Sequence, residues 1–212
     1  MWLPIRGGRL EANSAGSGPD AVVFLHEIDR RGMCGFASYA AWLVGHYRGL
    51  QVVLVNRCGY GATLCPSAAT SGDIVAETKP AIDWARNHGA RRVTLVGASG
   101  GGMDAVEAAA LIPGIAAVVN LSGDTNDTFD NDNALVPRVT IPALFAVAPD
   151  DQYCSIPTMR GYYAKIPART KRLLIENKYP GTHGWDLLAG HTGEPPSPLA
   201  MTVAQWVFGR LI

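Results

Sequence analysis

A serine between glycines is the residue whose setting most clearly suggests chemistry. Ser99 stands in Gly97-Ala98-Ser99-Gly100-Gly101, after the apolar run Val93–Val96 and before an alanine-rich stretch. This Gly-x-Ser-x-Gly pattern is typical of a strand that turns sharply into a helix and leaves the serine exposed. The glycines permit a strained backbone, and the helix start presents a free N–H beside the serine oxygen. The alternative is an ordinary glycine-rich turn.

Carboxylates and a histidine that could activate Ser99 follow it in the chain. A serine nucleophile needs a base that accepts its proton and a third group that orients the base. Asp150 and Asp151 follow one apolar, strand-like run, and His183 follows the next. The remaining histidines lie within or at the ends of expected helices, in a loop rich in Gly and Pro, or at a strand end (His46, His88, His191 and His26). His183 is therefore the leading base.

The elements that must position these groups alternate between strand and helix. Short apolar runs predict strands over Ala21–His26, Gln51–Val55, Arg92–Val96, Ala116–Asn120, Ala143–Val147 and Lys171–Glu176. Helical spacing predicts helices over Phe36–Tyr47, Gly72–His88, Gly100–Ile112, Pro157–Ile166 and Pro198–Leu211. The alternation predicts an α/β fold with a mostly parallel central sheet and helices on both faces. We expect one domain over residues 1–212.

Three local features add to this pattern. Trp2–Ile5 and Arg9–Asn13 predict a hairpin at an edge of the sheet. The breakers in Asn13–Asp20 predict a turn. Pro80, inside the second helix, predicts either a kink or a later helix start.

The chain resembles the α/β-hydrolase superfamily from about Ala21 to its C-terminus. The elbow at Ser99, the acid loop, the histidine loop Gly181-Thr182-His183-Gly184 and a strand that ends in His26 carry the resemblance. In that family the triad follows the chain order Ser, Asp, His. The resemblance therefore implies Ser99 as nucleophile and His183 as base, in a single domain of this fold.

The resemblance also chooses between two neighbouring acids. The family's acid loop usually reads Gly-x-x-Asp, and this chain reads Ala148-Pro149-Asp150-Asp151. Asp151 thus stands at the family's acid position. Asp150 is the alternative, and its other interpretation is a turn residue ahead of a helix.

The resemblance implies where an oxyanion would bind. Gly100, as the residue after the nucleophile, supplies one backbone N–H. The first active-site loop reads His26-Glu27-Ile28-Asp29, which is similar to the dienelactone-hydrolase branch and implies Ile28 as the second donor. Glu27 is then a candidate to contact substrate or tune Ser99, and a plain surface carboxylate is the alternative. That branch typically carries a cysteine nucleophile, whereas this chain has Ser99.

Another departure lies in the loop after the second parallel strand. Many hydrolases read Asp-x-Arg-Gly-x-Gly-x-Ser there, and this chain has Asn56 and Cys58 at the Asp and Arg positions. Since such residues mostly support loops, we expect altered loop packing and intact catalysis.

No cap domain is expected, because Leu121–Pro142 is too short to build one. The site should then be open and suit short-acyl or otherwise accessible esters. Trp185 is a candidate to contact substrate as a wall of the site, with three further aromatic candidates (Tyr60, Tyr153 and Phe129), and each of the four could equally belong to the core. The acidic and amide cluster within Asp124–Asn133 does not match a calcium loop, so no metal is expected.

Composition limits the partners. The chain has 212 residues with 18 basic and 18 acidic side chains, and this zero net charge favours neither nucleic acid nor an anionic membrane. We see no membrane-length apolar run and no signal peptide, and we expect a cytoplasmic protein. The four cysteines match no zinc spacing, so free thiols are the default, and Cys58 with Cys65 is the pair that could form a disulfide.

The sequence therefore predicts a serine hydrolase that cleaves carboxylic esters through Ser99, His183 and Asp151 by way of an acyl-enzyme. The expected substrate is a small-molecule ester, the expected state a monomer or small homo-oligomer, and no cofactor or metal is required. The alternatives are a lactone or thioester hydrolase or a peptidase with the same triad. A non-catalytic ligand-binding protein with this fold is the rival from another class.

Overall fold

The computed structural model describes residues 1–66, 72–124, 132–177, 180–189 and 196–211, and the strands among them form one eight-stranded sheet. Its order is β1-β2-β4-β3-β5-β6-β7-β8. The strands are β1 (Trp2–Ile5), β2 (Gly8–Gly16), β3 (Asp20–Leu25), β4 (Leu50–Val55), β5 (Arg92–Ala98), β6 (Ala117–Leu121), β7 (Ala143–Val147) and β8 (Lys171–Ile175). Strands β3 to β8 pair in parallel, and the β1–β2 hairpin adds an antiparallel edge. The predicted mostly parallel sheet is confirmed.

Helices cover both faces of this sheet. They are α1 (Ala37–His46), α2 (Ile74–Asn87), α3 (Gly100–Leu111), α4 (Asp132–Leu135), α5 (Ile156–Lys165) and α6 (Pro198–Val207), with short 3-10 turns at Gly32–Phe36, Val136–Arg138 and Gly184–Leu188. Helices α1 and α6 pack on one face, and α2, α3 and α5 pack on the other. None of the described helices combines the length and apolar character needed to cross a membrane.

The two-sided packing explains the continuous apolar runs of the central strands. In β3, Val22 and Phe24 join the core on the side of α1 and α6, while Val23 and Leu25 join the core on the opposite side. Successive side chains of a strand point to opposite faces, so a strand covered on both sides needs apolar residues throughout. All six residues of β4 are buried for the same reason.

Strand β2 is longer than its sequence predicts. The expected turn over Asn13–Asp20 is wrong in its first half, because Ala12–Gly16 pairs with Gln51–Val55 of β4. Backbone pairing with a buried neighbour outweighs the poor strand propensity of asparagine, serine and glycine. The hairpin of β1 and β2 does lie at the sheet edge, as expected.

Helix α2 begins before its proline. It runs from Ile74 through Pro80, so the later start that we considered is wrong. The Asp73 carboxylate accepts the N–H groups of Val75 and Ala76 at 3.1 and 3.0 Å, which fixes the helix start.

The segment between β6 and β7 builds no cap within the described residues. Only α4 and the turn Val136–Arg138 occur there. Residues 125–131, which include Phe129 and much of the acidic cluster, lie outside the described residues.

Cys58 and Cys65 form a disulfide, so the default of free thiols is wrong for this pair. The reason is the return of the chain toward the sheet edge, where Leu64 forms a β-bridge with Arg9. The Cα atoms of the two cysteines then lie 5.8 Å apart, within the usual range for a disulfide. Cys34 and Cys154 are free. A disulfide is more typical of oxidising compartments, so it does not favour the cytoplasmic location expected from the sequence.

Removing this disulfide should lower stability. Closing a loop between positions seven apart restricts the unfolded chain and is worth on the order of 2 kcal/mol. We expect the C58S/C65S variant to melt several degrees below the wild type, at the same temperature as the wild type under dithiothreitol. The exposed Cys34→Ser variant is the matched control and should melt as the wild type does. Equal melting of the oxidised and reduced wild type would contradict this expectation.

Candidate active site

The residues singled out in the sequence meet at one edge of the sheet. The loop 26–28 follows β3, Ser99 follows β5, Asp151 lies in the loop after β7, and His183 lies beyond β8. These strands are parallel, so their carboxyl ends lie on the same edge. Ligand sites of open α/β sheets form at this edge.

Ser99 has a strained backbone. Its φ and ψ are 52° and −129°, in a region that side-chain-bearing residues rarely adopt. The Ser99 N–H donates to Leu121 O at 2.9 Å, and its carbonyl accepts the Gly102 N–H at 2.7 Å. These bonds to β6 and to α3 hold the turn in place. The strained turn is the arrangement that the Gly-x-Ser-x-Gly pattern predicts.

The glycines on either side of Ser99 are required because neighbouring backbone leaves no room for a side chain. A Cβ at Gly97 would overlap the carbonyl of Gly101, and a Cβ at Gly101 would overlap the carbonyl of Leu25. Strand β5 thus approaches helix α3, and α3 approaches the end of β3, so closely that no side chain fits at either glycine. This close approach brings Ser99 to the start of α3, where backbone N–H groups are free to bind an anion.

Asp151 and His183 form a hydrogen-bonded pair. His183 Nδ1 lies 3.0 Å from both Asp151 carboxylate oxygens. The Asp151 side chain has no exposed surface, whereas 16% of the His183 side chain is exposed. Burial raises the pKa of Asp151, but the hydrogen bonds from His183 and from the Tyr153 N–H outweigh it and lower the pKa overall. The carboxylate is therefore ionised, and it favours the His183 tautomer that carries its proton on Nδ1.

That tautomer leaves His183 Nε2 free to act as a base. Among the residues that the structure describes, no hydrogen bond joins Nε2 to Ser99 Oγ. Bonds of this kind are often long without substrate and tighten in the complex. The Tyr153 ring, 73% exposed, lies 4.9 Å from the His183 ring at the mouth of the site. Asp150 is exposed in a left-handed conformation, with φ of 60°, and occupies a turn.

Ile28 and Gly100 lie against each other. A Cβ at Gly100 would lie 2.8 Å from Ile28 Cδ1, so Ile28 covers the start of α3. The Ile28 side chain is 55% exposed, which places it at the surface of the site. The two residues proposed as oxyanion donors are therefore brought together.

His26 fixes the peptide between Glu27 and Ile28. Its Nδ1 lies 2.6 Å from the Glu27 carbonyl oxygen, and its Nε2 accepts the Arg57 N–H at 3.1 Å. Burial lowers the pKa of His26 to about 4, so the ring is neutral with its proton on Nδ1. In a trans peptide the C=O and the N–H point in opposite directions, so Ile28 N–H points away from His26.

Glu27 and Trp185 are brought together in the interior. Glu27 is 8% exposed and Trp185 is 4% exposed. Glu27 Oε1 accepts the Trp185 backbone N–H at 2.7 Å. The Trp185 ring packs edge-on against Phe36 at 5.6 Å, with the Arg31 guanidinium 4.5 Å above it. The substrate contacts expected for Glu27 and Trp185 stay a prediction, and the contacts seen are structural.

The other candidate histidines that the structure describes, and Tyr60, make contacts of their own outside the Asp151–His183 pair. His46 and His88 are exposed at helix ends, where each Nδ1 bonds the carbonyl of a tryptophan one turn earlier. Tyr60 packs edge-on against His26 at 4.4 Å. His191 lies outside the described residues. The described residues contain no group of three His, Cys, Asp or Glu side chains that could hold a metal ion.

Sequence reasoning missed the carboxylates that hold the loop after β4. Glu11 Oε2 accepts the Asn56 side-chain amide and the Ala62 N–H, both at 2.8 Å. Glu77, which is 3% exposed, accepts the Cys58 N–H at 2.7 Å. These acids, on β2 and α2, support the loop in which the family's usual Asp and Arg are missing, and no spacing in the sequence identifies them.

Arg57 was also missed. Its guanidinium pairs with Asp104 of α3 at 2.6 Å, and the two side chains are 15% and 16% exposed. Its Nη1 would lie 3.7 Å from a Cβ at Gly100, so a cation stands near the proposed oxyanion donors. The sequence gives Arg57 no motif that marks this position.

Comparison with known proteins gives matches among solved structures. No protein-family model and no curated protein matches the sequence. A cold-adapted esterase from an Arctic intertidal metagenomic library is 19% identical, with a TM-score of 0.73 over 100% of this chain and 93% of that one. An esterase from Pyrococcus furiosus is 11% identical, with a TM-score of 0.77 over 100% and 91% of the two chains. A proline iminopeptidase from Mycobacterium smegmatis is 15% identical, with a TM-score of 0.65 over 99% and 97%.

Identities this low establish architecture, and function has to be argued from the site. The match extends over essentially the whole chain. It agrees with the strand order, the helices on both faces and the strained serine between β5 and α3. This chain has the α/β-hydrolase fold.

Proposed function

We propose that this single-domain protein is a serine hydrolase that cleaves carboxylic esters. One observation carries the proposal: a strained Ser99 at the start of α3 shares a sheet edge with a His183–Asp151 pair joined at 3.0 Å. A backbone that costs roughly 1–3 kcal/mol to hold persists where the surrounding structure requires it, and such sites are often catalytic. The esterases among the structural matches support the same reaction class.

The proposed reaction has two steps. His183 Nε2 accepts the Ser99 proton as Oγ attacks the ester carbonyl carbon, and Asp151 stabilises the imidazolium that forms. The N–H groups of Ile28 and Gly100 bind the negative oxygen of the tetrahedral intermediate. The imidazolium then gives its proton to the departing alcohol and leaves an acyl-enzyme. Water, activated by the same imidazole, releases the acid and restores Ser99. Apart from the substrate and this water, the steps use only groups of this chain.

The proposed substrates are small esters with short or accessible acyl groups. The described residues between β6 and β7 add only α4 and one turn, and this supports an open catalytic edge. Exposed apolar side chains of Ile28 and Tyr153 flank the reacting groups and could contact such an acyl chain. We propose a monomer or small homo-oligomer that uses no cofactor.

Labelling tests the nucleophile. A fluorophosphonate should add to Ser99, because the reagent reports a serine that a neighbouring base activates. The Ser99→Ala variant should stay unlabelled, keep its circular dichroism spectrum and lose at least about 10⁴-fold in kcat on a short p-nitrophenyl ester. Intact-mass measurement detects the adduct, and its absence from the Ser99→Ala variant assigns it to Ser99. Wild-type protein whose mass does not change would argue for a non-catalytic ligand-binding protein.

The two neighbouring aspartates provide a matched pair. The Asp151→Asn variant should lose about a thousandfold or more in kcat, because an amide no longer favours the required His183 tautomer. The Asp150→Asn variant should keep kcat within about twofold, since Asp150 is an exposed turn residue and asparagine tolerates its left-handed backbone. The reverse order of activities would assign the acid to Asp150.

A substrate panel tests the acyl preference. On p-nitrophenyl esters of rising acyl length, kcat/KM should be highest for the short members, because the described residues between β6 and β7 build no cap that would shelter a long chain. Lactones, thioesters and proline p-nitroanilide belong in the same panel. A preference for any of these over esters by a factor of ten or more in kcat/KM would replace the proposed substrate class.

A further inference from the structure

We propose that Glu27 is a positioning residue whose carboxyl oxygen ties the loop of the catalytic base to the loop of the oxyanion donor. This inference rests on the proposed function, because it concerns the geometry of that site. The triad mechanism itself does not use Glu27. Two contacts of the side chain and one of its main chain carry the argument.

The first contact is a hydrogen bond between two catalytic loops. Glu27 Oε1 accepts the Trp185 backbone N–H at 2.7 Å, and Trp185 is the second residue after His183. Glu27 itself immediately precedes Ile28. One side chain therefore links the backbone beside the base to the backbone of the oxyanion donor.

The second contact is with Gly184, the residue directly after the base. A Cβ at Gly184 would overlap Glu27 Oε1, and Gly184 has a left-handed φ of 55°. The backbone of the base loop thus lies flat against the carboxyl group. Any other residue at this position would separate the two loops, so the fit depends on both Glu27 and Gly184.

The main chain of Glu27 is held from the other side. Its carbonyl oxygen accepts a hydrogen bond from the protonated Nδ1 of His26 at 2.6 Å, and this bond orients the Ile28 N–H. Glu27 is therefore fixed at both its carbonyl and its carboxyl group. A shift of the side chain would move the oxyanion donor relative to His183, and a misplacement of about 1 Å can cost on the order of a hundredfold in rate.

The hydrogen bond from the Trp185 N–H to Glu27, which we call the tether, does not depend on the charge of Glu27. Burial raises the pKa of Glu27 to about 7, while the Trp185 N–H, His183 and Arg31 act to lower it and Asp186 acts to raise it. A carboxyl oxygen accepts a hydrogen bond in either protonation state. The tether therefore holds on both sides of neutral pH and needs no negative charge.

Two substitutions of Glu27 distinguish an effect of its side-chain length from an effect of its charge. Glu27→Gln keeps an oxygen at the same reach and removes the charge, so kcat should stay within about threefold of the wild type. Glu27→Asp keeps the charge but is one methylene too short, so kcat should fall about tenfold to a hundredfold with little change in KM. The pH profile of kcat for Glu27→Gln should run parallel to that of the wild type. Melting temperatures identify any variant that fails to fold.

Asp186→Asn is the matched control, because Asp186 is exposed on the same base loop and its charge acts on Glu27. Its kcat should equal that of the wild type. An impaired Glu27→Gln beside an active Glu27→Asp would overturn the proposal and assign the effect to charge. Wild-type kcat in both variants would overturn it as well. An inactive, unlabelled wild type would instead contradict the proposed function, so the two failures are distinct.

Discussion

The close approach of strand β5 to helix α3 is the constraint on which the site depends. A methyl group at Gly97 would overlap the Gly101 carbonyl of α3, and one at Gly101 would overlap the Leu25 carbonyl at the end of β3. The chain then turns through Ser99 with a φ of 52°, at a cost of roughly 1–3 kcal/mol. Hydrogen bonds to Leu121 and Gly102 and the buried core on both faces of β5 hold this turn. If either glycine carried a side chain, the turn at Ser99 would have to open.

A second principle recurs around this turn: glutamates that are distant in sequence hold the loops by direct hydrogen bonds. Glu11 and Glu77 each accept backbone N–H groups of the loop after β4, and Glu27 accepts one from the loop after β8. Backbone N–H groups in loops have no partners from regular secondary structure and need an acceptor when buried. A carboxyl group can accept several such bonds, and those of Glu11, which lower its pKa, are of the stronger, charge-assisted kind. These acids thus give irregular segments a fixed position relative to the sheet.

Much of the architecture could be predicted from the sequence because it depends on local pattern. The apolar runs of β3 and β4 need burial on both faces, and the Gly-x-Ser-x-Gly pattern determines the turn at Ser99 from five adjacent residues. Where contacts between residues distant in sequence decide the structure, the local sequence pattern does not predict it. Asn13–Gly16 extends as a strand because β4 lies beside it, and Cys58 meets Cys65 because Leu64 returns to Arg9. The contact of Glu27 with Trp185 joins residues from opposite ends of the chain, and no local spacing signals it.

The contact between Glu27 and Gly184 has a consequence for evolution. Glu27 leaves no room for a side chain at position 184, and the left-handed φ of 55° disfavours a side chain there in any case. In a set of related sequences, the glycine should therefore persist even where the glutamate has been replaced.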